Sequence, residues 1–299
     1  MNGFLNIHKK SGMTSHDVVY IVRKKLKTKT GHLGTLDPMA QGVLPVALGY
    51  ATRLIQFMPP QNKTYLAEII LGIHTDTLDL DGKILIKKEP VFLDEGRLVQ
   101  ILNSFLGKIT QTPPKYSAVK ISGKKAYDMA RKDMDFDIPE REVEIYSIEL
   151  VDYSFPKFKI RAKTSAGTYI RSLCEDIGKK LGQPAVLSYL LREESGVFNI
   201  KDSINIDEFK SLTEEEIKKL IFSADKIFYF LPRFTIKQRF KNMILNGAVL
   251  DAEKFEKNSL KLKENEKILV YDEKGELIAL GEIIIDEIIK IKPLKVFGS

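Results

Sequence analysis

Residues 31–49 read GHLGTLDPMAQGVLPVALG, with four glycines and two prolines. Proline removes a backbone donor and glycine disfavours regular structure, so this run cannot be a helix and is predicted to be a loop. It holds a single carboxylate, Asp37, and a single histidine, His32. A lone loop aspartate is commonly a turn former. The alternative is a loop shaped to bring one acid to a substrate.

The flanking pattern is that of a mixed α/β body. Residues 14–26, TSHDVVYIVRKKL, space Val18, Val19, Val22 and Leu26 at helical period, with Thr14 and Asp17 at capping-box spacing. TYLAEIILG alternates like a strand, with Tyr65, Ala67, Ile69 and Leu71 on one face. DEGRLVQILNSFLG predicts a helix stopped by Gly107. REVEIYSIELVDY and KFKIRAKTS predict a hairpin around Phe155-Pro156, and TYIRSLCEDIGKKLG a helix ended by Gly182. Residues 113–140 lack long apolar runs and read as an excursion from the core. LPRFT near residue 232 marks a boundary, after which strands around a Glu273–Gly275 turn suggest a small appended barrel.

Charge narrows the partner. Residues 1–65 carry nine Lys/Arg against two acids, Asp17 and Asp37, which accounts for the whole formal excess of +7. That asymmetry suits an anionic partner such as nucleic acid, or else a solvated lysine-rich face. One cysteine, Cys174, allows no internal disulfide, which points to the cytoplasm. No apolar run reaches bilayer length, and the first residues show no export signal. The histidines lack HExxH spacing, no GxxxxGK[ST] loop occurs, and the Asp79-Asp81-Gly82 segment fails the calcium-loop frame because Lys88 stands where a Glu is required. From the residues alone, Tyr65 is equally well a packed strand residue and Arg171 a partner for any surface acid.

Five stretches occur in order: KKSGMTSHDVV, GHLGTLDPMAQGVLPVALGYATRL, KTYLAEIILGIHTDTLDLDG, QTPPKYSAVKISGKKAYDMAR and AGTYIRSLCEDIG. Together they resemble the motifs of the bacterial TruB-type tRNA pseudouridine synthases, over nearly the full length. The resemblance implies an α+β fold, with a mixed, largely antiparallel central sheet flanked by helices, plus a small C-terminal PUA-like β-barrel. It implies a catalytic domain over 1–231, with an RNA-gripping insertion within 113–142, and an RNA-binding domain over 232–299. The implied activity is isomerisation of uridine-55 in the tRNA T-loop by base flipping. Neither cofactor nor metal is implied, and the partner is the tRNA T-stem-loop. A cytoplasmic monomer with no membrane association and no obligate protein partner is expected. The alternatives are an RNA-folding protein with incidental catalysis, or a guide-RNA-dependent synthase.

By the same resemblance, Asp37 falls on the essential aspartate, Tyr65 on the aromatic that stacks on the target base, and Arg171 on the arginine that pairs with the aspartate. His32 falls on a residue near the extruded nucleotide, and Leu190 on an apolar pocket wall. Asp79 and Lys9 fall on positions that line the pocket or support its motifs. The lysines and arginines around residues 9–29 would hold phosphates. The family's Lys-Pro pair is Lys9-Lys10 here.

Overall fold

The computed structural model describes every residue except 118, 122, 133, 135, 257–261 and 298–299, together with the side chain of residue 125. Residues 118, 122, 133 and 135, and the side chain of residue 125, belong to the range 113–142 expected to contain the insertion and lie outside the described residues.

The chain opens on β1, Gly3–Lys9. Helix α1, Ser15–Leu26, starts from the expected capping box: Asp17 N donates to Thr14 Oγ1 at 3.1 Å, and Thr14 N donates to Asp17 Oδ2 at 2.8 Å. Lys10, at the position of the family's proline, pairs with Asp207.

The Gly/Pro run is only partly a loop. Thr30–His32 form β2 and Gln41–Leu48 form β3, leaving residues 33–40 irregular. Strand β3 is buried from Gly42 to Leu48 despite Pro45. Pro45 pairs with Asn6 of β1, and its carbonyl accepts from Leu33 N at 2.9 Å. In extended backbone the N and O of one residue face the same side. The donor that Pro45 lacks therefore faces Leu33, just past the end of β2, and no bond to β1 is lost.

Next come β4, Lys63–Leu71, and a small hairpin of β5, Ile73–Thr75, and β6, Ile84–Lys87. Helix α2, Glu95–Asn103, ends at Ser104, so the stop expected at Gly107 is displaced: Gly107, at φ 87°, opens β7, Gly107–Gln111. The predicted excursion contains a short hairpin, β8 Lys120–Ile121 and β9 Lys124–Lys125, and helix α3, Ala126–Ala130. Strands β10, Arg141–Ser154, and β11, Lys157–Thr164, form the expected hairpin around Phe155-Pro156. Helix α4, Ile170–Leu181, closes on Gly182 at φ 71°. Strands β12, Ala185–Ser195, β13, Phe198–Asn199, and β14, Ile204–Asn205, complete the first sheet.

That sheet has ten strands in the order β14-β1-β3-β12-β4-β11-β10-β7, with β13 on β12 and β2 on β3. All pairings are antiparallel except β1 with β14 and β12 with β3. Strands β1 and β3 feed two cores. Leu5, Ile7, Leu44, Val46 and Leu48 join α1, α2 and α4 in the larger one. Phe4, Val43 and Ala47 alternate into a second. Each such side chain contributes about 1.5–3 kcal/mol when fully buried.

The C-terminal strands are β15, Arg233–Thr235, β16, Leu250–Asp251, β17, Lys267–Tyr271, β18, Leu277–Ile285, and β19, Ile289–Val296; Leu269, Leu277 and Leu280 of β17 and β18 complete the second core, while Phe234 of β15 and Leu250 of β16 join Ile268, Val270 and Ile283 in a third. The strands form a five-stranded sheet in the order β15-β17-β18-β19-β16. Just beyond its two edge strands, Ile236 bridges Phe255, and Glu256 N donates to Thr235 O at 2.8 Å. The sheet thus curls until its ends meet, as a small barrel must.

Candidate active site

The irregular stretch 33–40 runs from β2 into β3 and is tied down from three directions. Leu36 N donates to Ser15 Oγ at 2.9 Å, at the start of α1. Lys9 Nζ donates to Pro38 O at 3.2 Å, as well as to Met13 O at 2.6 Å and Lys10 O at 2.9 Å. Arg192 of β12 donates from its guanidinium to Gly34 O at 3.1 Å and Thr35 O at 3.3 Å, and to Val43 O at 2.7 Å. Lys9 and Arg192 are both wholly buried. Two cations thus hold the backbone of the loop from beneath, through carbonyls and not through carboxylates.

Asp37 emerges from this loop with its side chain 33% exposed, and meets Arg171, 5% exposed, with Nε 3.0 Å from Oδ2. The Nε–H is not aligned for a hydrogen bond, so the carboxylate is balanced by charge without being locked. Arg171 is fixed by its other nitrogens, which donate to Thr77 O and Tyr116 O, each at 3.0 Å. It also lies 3.5 Å from Asp79 Oδ2. Asp79 is buried and accepts from Thr77 Oγ1 at 2.5 Å and Asp81 N at 3.2 Å. Burial raises its pKa, while Thr77 and Arg171 oppose the rise.

Asp37 faces a cavity of about 250 Å³, roomy enough for a nucleobase. Its walls include Tyr65 and Leu190 from neighbouring strands, Ser117, and residues 167–171 leading into α4. Tyr65 is buried, and its phenol faces the Arg192 guanidinium; burial nonetheless raises its pKa.

The residues singled out in the sequence divide into two groups. Asp37, Tyr65, Arg171 and Leu190 line the cavity. Lys9, Asp79 and His32 do not: Lys9 lies under the loop, and Asp79 lies behind Arg171. His32 sits at the end of β2, edge-on to His16 at 5.6 Å, with its Nδ1 buried and unbonded. Burial, then His16 and Arg192, lower its pKa and favour the neutral ring. Lys9 is a correction to the expected row of phosphate-holding lysines. It has no surface to offer, and burial lowers its pKa to about 8.

Sequence reading passed over Arg192, Lys63 and Tyr169. Tyr169 lies in the quoted AGTYIRS motif and lines the cavity, with its backbone clamped by Gln111 at 2.9 and 3.1 Å. Arg192 follows an apolar strand run, where an inward charge is the only clue.

The chain is similar to known proteins. Residues 23–170 match the model of the TruB family pseudouridylate synthase N-terminal domain. A protein of Clostridium tetani named tRNA pseudouridine synthase B is 40% identical over 284 residues, covering 94% of this chain and 96% of its own length. One of the same name from Alkaliphilus oremlandii is 44% identical over 248 residues, covering 83% and 82%. Among solved structures, a Cbf5-Nop10-Gar1 complex has a chain 31% identical with a TM-score of 0.71, covering 99% of this chain and 84% of its own. A chain of an H/ACA RNP bound to a substrate RNA containing 2'-deoxyuridine is 29% identical with a TM-score of 0.70, covering 99% and 85%. A conserved-length match of this kind, on a chain whose loop carries one acid into a base-sized cavity, places it in a single group: the chain belongs to the TruB family of pseudouridylate synthases.

Proposed function

We propose that this chain converts uridine-55 in the T-loop of tRNA to pseudouridine, with Asp37 as the catalytic carboxylate and neither cofactor nor metal. The observation that carries the reading is the lone, partly open Asp37 carboxylate balanced by Arg171 at the edge of the cavity. The relatives' name, tRNA pseudouridine synthase B, supports the substrate. The reaction exchanges the C1′–N1 bond of uridine for a C1′–C5 bond. A proton leaves C5 and one arrives at N1, so no net electron transfer or phosphoryl donor is required. A carboxylate serves such a step as nucleophile at C1′ or as support for its developing positive charge. Either role places a negative carboxylate beside the Arg171 guanidinium, whose Nε stands 3.0 Å from Asp37 Oδ2.

The target base must leave its stack, at a cost of a few kcal/mol. Tyr65 beneath the base and Leu190 beside it recover part of that, since aromatic stacking is worth about 1–3 kcal/mol per base. Lys9 and Asp79 support this geometry from behind, and His32 fills space near the everted nucleotide. Residues 1–231 form the catalytic domain, including the RNA-gripping segment 113–142, and residues 232–299 an RNA-binding domain. The protein acts as a monomer in the cytoplasm, without guide RNA or protein partner. Among the described residues no helix is long and apolar enough to cross a membrane.

Tritium release from C5-labelled uridine in a bare T-stem-loop tests the reading with purified protein alone. Wild type should release label, and Asp37→Asn should release none while binding the RNA within a few-fold of wild type. Turnover by the Asn variant at near wild-type rate, or a requirement for guide RNA, overturns it.

A further inference from the structure

Two residues before Tyr65 on β4, the half-buried Lys63 also lines the Asp37 cavity. A Cβ placed on Gly34 would stand 3.8 Å from Lys63 Cε and 4.0 Å from its Nζ. The ammonium therefore lies against the loop that carries Asp37. Among the described residues it has neither a carboxylate within ion-pair distance nor a hydrogen-bond acceptor.

Its charged neighbour is Arg192, whose wholly buried guanidinium is bonded to carbonyls and has no carboxylate of its own. Arg171 differs, since Asp37 and Asp79 both stand beside it. The groups around Lys63 are Arg192 from β12, Tyr65 on its own strand, Asp37 in the loop, and Arg171 and Tyr169 from the start of α4. Asp37 and Asp79 both stand on Arg171, which leaves Lys63 and Arg192 with no carboxylate within ion-pair distance among the described residues. Burial, and then Arg192, lower the Lys63 pKa to about 8. A half-desolvated ammonium next to a second cation is unfavourable unless an anion is supplied.

Uracil brings no anion into the cavity, whereas the backbone on either side of an everted nucleotide brings a phosphodiester. We propose that Lys63 is the subsite for one phosphodiester flanking the target nucleotide, with the buried Arg192 adding to the attraction from behind. The inference rests on the function proposed above and assigns a binding role, not a bond-making one.

The test uses the full chain and T-stem-loop RNAs in which each phosphate next to the target uridine is replaced in turn by a neutral methylphosphonate. With wild type, one replacement should raise Kd and KM about tenfold and leave kcat within twofold, the size of one charge-assisted bond. Lys63→Met should raise both about tenfold on native RNA and lose nothing further on that methylphosphonate. Lys63→Arg should keep the wild-type sensitivity. Above pH of about 8 free wild type must take up a proton at Lys63 to bind, so its affinity should fall by up to about tenfold per pH unit more than that of Lys63→Arg, in which Lys9 beneath the loop still titrates in this range. Wild-type indifference at both phosphates, additive losses in Lys63→Met, or the same alkaline fall in Lys63→Arg overturns the proposal. The wild-type scan stands even where a variant folds poorly. Lys63-dependent binding by a wild type that releases no tritium supports the subsite while refuting the proposed activity.

Discussion

Arg192 shows how much one side chain can organise without touching a substrate. Its guanidinium joins β3 to two successive carbonyls of the loop, Gly34 and Thr35, through three bonds in all, and it neighbours the Tyr65 phenol. Methionine matches its length and supplies no donors. Arg192→Met should therefore leave buried carbonyls unbonded at about 1–3 kcal/mol each. Thermal denaturation should show a stability loss of about 3 kcal/mol or more, and kcat should fall because the Asp37 loop loses its underside. Lysine is a poor substitute, since a point charge cannot serve three diverging acceptors. A variant with wild-type melting and turnover would show that the carbonyls find other donors.

The crossing of β3 and β12 allows no room for a side chain at one point. A Cβ on Gly42, at φ 104°, would lie 2.3 Å from Arg192 O and 2.9 Å from Arg192 N. Gly42→Ala should cost about 2–4 kcal/mol, combining backbone strain with overpacking. Chemical denaturation would measure it, and a loss under about 0.5 kcal/mol, the size of an ordinary surface change, would mean the strands separate freely. These elements were unevenly legible in the sequence. Helix α1 announced itself because its cap and its apolar spacing are local. The hairpin around Phe155-Pro156 was legible for the same reason. Strand β3 was not, because Pro45 reads as a breaker until its pairing with β1 and the end of β2 are known. Gly107 misled similarly: it was expected to stop α2, but at φ 87° it starts β7 instead. In the cavity, Asp37 stood out by its setting and Arg171 by its motif. Lys63 and Arg192 were silent because burial and the lack of an acidic partner are properties of the assembled sheet.

The two sheets meet through apolar side chains. Phe4, Val43, Ala47, Leu54 and Phe228 from the first part of the chain share one core with Leu269, Leu277, Leu280 and Phe297 from the barrel. Arg53 donates to Val296 O at 2.9 Å across the same junction, and Tyr50 stacks on Phe297 at 4.9 Å. Removing residues 232–299 should therefore destabilise what remains, since each uncovered large side chain forfeits about 1.5–3 kcal/mol. Calorimetry of residues 1–231 should give a markedly lower Tm than the full chain, with precipitation on heating. An unchanged Tm would show that the two parts fold separately. Val43 and Ala47, on the barrel side of β3, alternate with Leu44 and Val46 on the other. A chimaera built by grafting a foreign barrel after residue 231 would consequently meet an ill-fitting seam directly behind the strand that follows Asp37. Exchange of such modules between enzymes of this type must carry the seam along, or it will disturb the chemistry it was meant to leave alone.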